Sequence, residues 1–157
     1  MAIVGIHTRG VYVGNRIINE ILESGLSESK KEIPFGTLDI NLYRDDMDSA
    51  SSLPKVRETD ISFDVAGKKI VLVDDVIYTG RSIRAAMDAL MDFGRPKSIQ
   101  LAVLLDRGHR ELPIEPNFTG KKFMASKDER IDVELEETDG RDSVVLKERA
   151  KKKVKNN

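Results

Sequence analysis

The chain reads as an α/β domain, a mostly parallel twisted sheet flanked by helices. Three features predict it. Short apolar runs rich in β-branched residues recur along the chain. Stretches of helical period separate them, and no internal repeat is visible. The hydrophobic fraction of 39% supplies a core, and 157 residues suit one such unit.

Taken in order, Ala2 to His7 is a buried strand and Thr8-Arg9-Gly10 a turn. Apolar residues at 11, 17, 18, 21 and 22 give a one-faced helix over Val11 to Ser24, stopped by Gly25. Leu38, Ile40 and Leu42 alternate with polar neighbours, predicting a strand over Thr37 to Tyr43. Arg44 to Asp60, with Pro54 and a serine-rich stretch, is a long loop of the kind that often serves as a lid. Ile61 to Val65 and Lys69 to Val73 are strands joined by an Ala66-Gly67 turn, and Asp74 to Gly80 is a loop. Arg81 to Phe93 is helical, with Ile83, Ala86, Met87, Leu90 and Met91 on one face. Ser98 to Leu105 is a further strand, followed by short strands at Lys121 to Ala125, Ile131 to Leu135 and Ser143 to Leu146. The domain is expected to span 1–146, with a basic, disordered tail over 147–157.

Composition excludes several classes. The chain has no cysteine, so disulfides, thiolate catalysis and cysteine zinc sites are out, and two histidines cannot build a histidine-rich metal site. No apolar run approaches 18 residues and the N-terminus lacks a secretory pattern, so a cytoplasmic protein with no membrane partner is expected. A net charge of −1 does not itself point to nucleic acid.

The chemistry concentrates in Val71-Leu-Val-Asp-Asp-Val-Ile-Tyr-Thr-Gly-Arg-Ser82. Two adjacent carboxylates, Asp74 and Asp75, end an apolar run and need hydroxyls, a cation or water. Tyr78, Thr79, Gly80, Arg81 and Ser82 then open a helix, where unpaired amides and the helix dipole favour an anion. Vicinal ribose hydroxyls and a phosphate suit such a cradle. The run resembles the phosphoribosyl pyrophosphate (PRPP) signature of type I phosphoribosyltransferases, with Ser82 where Thr is usual. The resemblance implies that family's fold with a flexible loop over the site. It assigns Asp74 and Asp75 to catalysis, Tyr78 to Ser82 to the 5′-phosphate, and Thr8, Arg9 and Gly10 to pyrophosphate. It places Arg44, Asp45 and Asp46 at the start of the flexible loop.

Three longer stretches narrow the resemblance. They are Leu38 to Asp46, Ile77 to Leu90, and Gly94 to Ile114 with its Asp106-Arg-Gly-His-Arg-Glu-Leu-Pro113 string. Over Ile3 to Leu146 the chain resembles bacterial pyrimidine operon regulatory proteins with uracil phosphoribosyltransferase activity. That implies conversion of uracil and PRPP to UMP and pyrophosphate with Mg²⁺. Asp106 is then a metal-facing acid or a plain turn residue, and Phe118 a base-stacking aromatic or a packing one. The resemblance also implies binding of pyrimidine-operon leader RNA, promoted by UMP or UTP. Arg107, His109 and Arg110, with Arg16, Arg81, Arg84 and Arg95, form the candidate basic face. The family's usual N-terminal segment is not apparent, since the first strand begins by Ile3. Exposed apolar surface and a homo-oligomer, a dimer or higher, are expected in consequence. A non-catalytic nucleotide-sensing RNA regulator and a phosphoribosyltransferase for another base remain open, as does an inactive scaffold.

Overall fold

The computed structural model describes residues 1–26, 33–45 and 57–148. Five parallel strands lie in the order β2-β1-β3-β4-β5: β1 (Ala2–Ile6), β2 (Phe35–Leu38), β3 (Lys69–Ile77), β4 (Ser98–Asp106) and β5 (Phe118–Lys122). Helix α1 (Arg9–Glu23) follows β1 and α2 (Arg81–Met91) follows β3. A separate antiparallel pair, β6 (Glu129–Glu134) and β7 (Ser143–Glu148), is joined through the one-turn helix α3 (Glu136–Asp139).

The side-chain period of two in β1 and β3 sorts the core onto two faces. Val4, Ile6, Ile70 and Leu72 pack with Ile83, Ala86 and Leu90 of α2. Ile3, Val71 and Val73 pack with Val13 and Ile18 of α1 and with Ile131 and Val133 of β6. Strand order reverses between β1 and β3, because the chain leaves β1 for β2 and returns to β3 on the other side. The carboxyl ends of β1 and β3 therefore border the crevice in which such sheets bind ligands.

Four expectations change. The strand predicted over Thr37 to Tyr43 ends at Leu38, and Asn41–Tyr43 is a 3₁₀ turn. Asp39 causes the break: its carboxylate accepts the amide of Asn41, and of Arg57 beyond it, competing with ladder bonds. Ile61 to Val65 forms no strand. Asp60 alone pairs with Thr37 at the sheet edge, and the Asp64 carboxylate then turns the chain by accepting the Ala66 amide. The third strand does not stop at Val73 but runs to Ile77, so both aspartates lie in it. The last strand continues past the expected boundary at 146: Lys147 pairs with Arg130 and Glu148 with Glu129. The remainder of the basic tail lies outside the described residues, as does Asp46 of the expected loop.

Candidate active site

Asp74 and Asp75 are neighbours in β3, so the pleat sends their carboxylates to opposite faces. Asp74 falls on the α2 side and is 9% exposed, with its Oδ1 accepting the Asp75 amide at 2.9 Å. Burial first, then the charge of Asp75, pushes its carboxyl pKa well up. Asp75 falls on the α1 side, half-buried, and one of its oxygens accepts the Val76 amide at 2.8 Å.

Past β3 the chain makes a cleft of about 320 Å³ lined by Val76, Tyr78, Thr79, Gly80, Arg81 and Ser82, with Arg44 and Glu111 across it. Gly80 has φ +92 at the N-cap of α2, a conformation that no side chain but glycine's hydrogen adopts without strain. Its place is fixed from behind: the Thr79 carbonyl accepts the amides of Glu111 and Leu112, and the Thr79 hydroxyl accepts the Arg81 amide at 3.3 Å. All five residues expected to hold a phosphate thus share one concave surface at a helix start. The Arg81 guanidinium is held by Glu111 and by Asp45, and Arg84 also reaches Asp45.

A second cleft of about 340 Å³ opens on the other side of Val76. Arg9, Asp75 and Val76 line it, and so do Arg130–Glu134 of β6, Asp139 and Lys147. Arg9 donates to both oxygens of Asp139, at 3.0 and 3.2 Å, while its Nε is buried without a partner among the described residues. Thr8 stands at the N-cap of α1. Gly10 is buried beneath the cleft. A Cβ there would sit 2.3 Å from the Val73 carbonyl oxygen, so glycine is what lets α1 start against β3. The β6–β7 module is fastened to α1 by Arg16, which grips Glu137 and Asp142 at 2.7–2.9 Å and holds both carboxyls below their ordinary pKa.

Several expected site residues lie elsewhere or do something else. Phe118 begins β5, where it pairs with Ala102, while the site end of that strand is Lys122 beside Asp106. It is 53% exposed near Val13 and Ile17 of α1, four rows below the ligand edge, and cannot cover a base there. Asp106 is held by its neighbours. Its Oδ1 accepts the Gly108 amide and its Oδ2 the Arg110 guanidinium at 2.8 Å. Burial alone would raise its pKa, but these donors outweigh that and leave it lowered. Arg107, His109 and Arg110 are engaged within the fold. Arg107 is 3% exposed, His109 bonds the Ala125 carbonyl, and Arg110 donates to the carbonyls of Tyr78 and Ile114. Their charge reads as surface in the sequence, but Arg107 is buried, and hydrogen bonds tie the half-buried His109 and Arg110 to nearby carbonyls.

Residues that the sequence reading missed are Arg130, Ile131, Asp132 and Lys147. The first three belong to an acid-rich segment without a motif and Lys147 to the basic end of the chain, and only the docking of the β6–β7 pair brings them opposite Asp75. Asp132 sits between Arg130 and Lys147, and its carboxyl pKa is lowered, first by the Lys147 hydrogen bond.

Comparison with known proteins agrees with this geometry. Residues 1–134 match the phosphoribosyl transferase domain. The chain belongs to the phosphoribosyltransferase family. It is 56% identical over 149 residues to the "Bifunctional protein PyrR" of Thermus thermophilus, covering 95% of this chain and 80% of that one. The protein of the same name from Deinococcus radiodurans is 51% identical, with 93% and 78% covered. That from Bacillus cereus is 54% identical, with 92% and 79% covered. At this identity and coverage the chain falls within the PyrR group. The fold also matches a purine phosphoribosyltransferase from Pyrococcus horikoshii at a TM-score of 0.56, with 23% identity and 78% and 72% of the two chains covered. A hypoxanthine-guanine phosphoribosyltransferase from Bacillus anthracis gives 0.54 at 15% identity, covering 78% and 64%.

Proposed function

We propose that the chain transfers the phosphoribosyl group of PRPP to uracil, giving UMP and pyrophosphate. The observation that carries this is the meeting of two polar clefts at Val76, with Asp75 lining the second. The first cleft takes the 5′-phosphate on the backbone of Tyr78 to Ser82, where aligned amides stabilise an anion. The second takes the pyrophosphate beside Thr8 and Arg9 and the base against β6. The anomeric carbon then lies near Asp75. As its bond to the pyrophosphate oxygen breaks, positive charge develops there, and the fixed carboxylate of Asp75 stabilises it. The uracil N1 bond forms on the carbon, and the N1 proton leaves to solvent or to pyrophosphate. Asp74, kept neutral more readily by burial, supports the ribose end from beneath.

Mg²⁺ suits this site as an ion carried on PRPP. Among the described residues no group of three or more acidic or histidine side chains gathers to hold a metal, and of the acids that line the second cleft with Asp75, Asp132, Glu134 and Asp139 are paired with cations. When bound, it neutralises charge on the leaving pyrophosphate. The word "bifunctional" in the relatives' name supports a second activity, and we assign it to leader RNA whose binding UMP or UTP promotes. With Arg107 buried, and Arg16, Arg81 and Arg84 paired with acids, that contact needs further surface cations, exposed Arg95 among them. Among the described residues no helix is long and apolar enough to cross a membrane.

The direct test is UMP formation from uracil and PRPP with Mg²⁺, against a metal-free control and against hypoxanthine and orotate. Metal-dependent UMP, with the other bases unreacted, is expected. Turnover of another base in preference to uracil overturns the acceptor, and no product with any base overturns the chemistry. Titration with leader RNA at several salt concentrations, with and without UMP, tests the second activity.

A further inference from the structure

Arg107 occupies a place that the proposed reaction does not explain. It follows β4 directly, is 3% exposed, and its amide bonds the Ile77 carbonyl at 3.2 Å. Its guanidinium carbon lies 4.0 Å from the centre of the Tyr78 ring, inside cation–π range. The same guanidinium donates from Nη2 to the carbonyls of Ser126 (2.9 Å) and Glu129 (3.0 Å). Tyr78 lines the first cleft. Glu129 is the first residue of β6, next to Arg130 in the wall of the second. One buried cation therefore touches the phosphate loop through an aromatic face, the first residue of β6 through the Glu129 carbonyl, and the turn before it through the Ser126 carbonyl.

The neighbours make the bridge specific. His109 bonds the Ala125 carbonyl at 2.7 Å and meets the Tyr78 ring edge-on, with centroids 6.3 Å apart. Arg110 fixes the Tyr78 carbonyl at 3.0 Å. The antiparallel pair β6–β7 is not hydrogen-bonded into the main sheet. Besides the apolar side chains of β6 and the α1 ion pairs, this strut is what registers β6 against β3. A planar fork suits the task, since it can lie flat on a ring and still donate in its own plane, which an ammonium cannot.

We propose that Arg107 is a positioning residue that sets the distance between the ribose-phosphate cradle and the acceptor strand, and so governs the fit of the nucleobase rather than of PRPP. The inference rests on the assignment of the second cleft to the base. Misplacing a strand by about 1 Å can cost up to about 100-fold in a rate or affinity that depends on it.

The test compares Arg107→Met and Arg107→Lys with the wild-type chain, measuring KM for uracil and for PRPP, kcat, and hydrogen exchange of backbone amides. Arg107→Met should raise the uracil KM about 10-fold or more while the PRPP KM stays within about 2-fold. Amides of β6 should exchange faster, with those of β1 unchanged. Arg107→Lys, which keeps the charge but not the fork, should fall between. Equal rises in both KM values, or a loss of kcat with β6 exchange unaltered, overturn the proposal. If the methionine variant does not fold, the lysine variant carries the same comparison. If the wild-type chain makes no UMP, the uracil reading fails by itself. The exchange data then decide the link: faster β6 exchange supports it and unaltered exchange overturns it.

Discussion

Residues Val76 to Ile83 reach the first cleft as one uninterrupted stretch of chain, running from the end of β3 into the first turn of α2. The second cleft is assembled from three distant parts: Arg9 after β1, Asp75 in β3, and Arg130–Glu134 in β6 with Lys147 behind them. Backbone geometry sustains the first, through Gly80 and the Thr79 carbonyl. Side-chain ion pairs and one buried arginine sustain the second. A cleft built on backbone at a helix start is stiff and takes any phosphate ester. A cleft built from salt bridges between separate elements can be retuned one residue at a time, which suits the end that chooses the base.

Three substitutions sharpen or break this contrast. The largest effect is expected at the junction. Asp75→Asn should leave the fold intact and lower kcat about 100-fold to 1,000-fold, because it removes the charge facing the developing cation. Steady-state kinetics beside a circular dichroism spectrum checks it, and unchanged turnover would move the chemistry away from Val76. Next comes the acceptor side. Arg9→Ala should weaken PRPP about 10-fold or more while UMP binding changes much less, since a charged hydrogen bond to the diphosphate is worth ~1.5–3 kcal/mol and UMP has no diphosphate. Equal losses in calorimetric titrations with the two ligands would make Arg9 a purely structural partner of Asp139.

The smallest effect concerns Asp74. Its pKa is raised in the folded chain, so the folded state binds the proton more tightly than the unfolded state. Stability tied to this group is full below the ordinary value of 3.8 and declines as pH rises through the elevated one. Asp74→Asn, which removes the charge, should therefore raise Tm at neutral pH by about 3 °C for about 1 kcal/mol, and the gain should vanish below about pH 4. Ligand-free melts at the two pH values check it. A gain that persists in acid would mean that charge burial is not its source.

The same contrast explains what could be read from the residues alone. The strand–Asp-Asp–turn–helix run from Val71 to Ser82 is local, so its pattern carries its structure, and all five residues expected to hold a phosphate do share a cleft. The parallel sheet followed from alternating periods. The acceptor cleft was not legible, because nothing along the chain relates Arg9 to Asp132. Phe118 is a candidate by its place in the resemblance, and only the β4–β5 register shows it to be four rows from the edge. Arg107, His109 and Arg110 carry charge, which in a sequence reads as surface. Carbonyls at Tyr78, Ala125, Ser126 and Glu129 supply the acceptors that draw them inward, and carbonyls leave no mark in a sequence.

The placement of the two aspartates on opposite faces of β3 has an evolutionary corollary. The pairing of Lys69 with Ser98, continued row by row to Ile77 with Asp106, decides which acid points at the crevice and which is entombed under α2. A single inserted or deleted residue upstream in β3 would exchange the two carboxylates and at the same time turn Ile70, Leu72 and Val73 to the wrong layers. Selection on core packing thereby protects the placement of both carboxylates against one-residue insertions and deletions within the strand. Drift in this protein can substitute residues of β3 one for one, but it can hardly change how many there are.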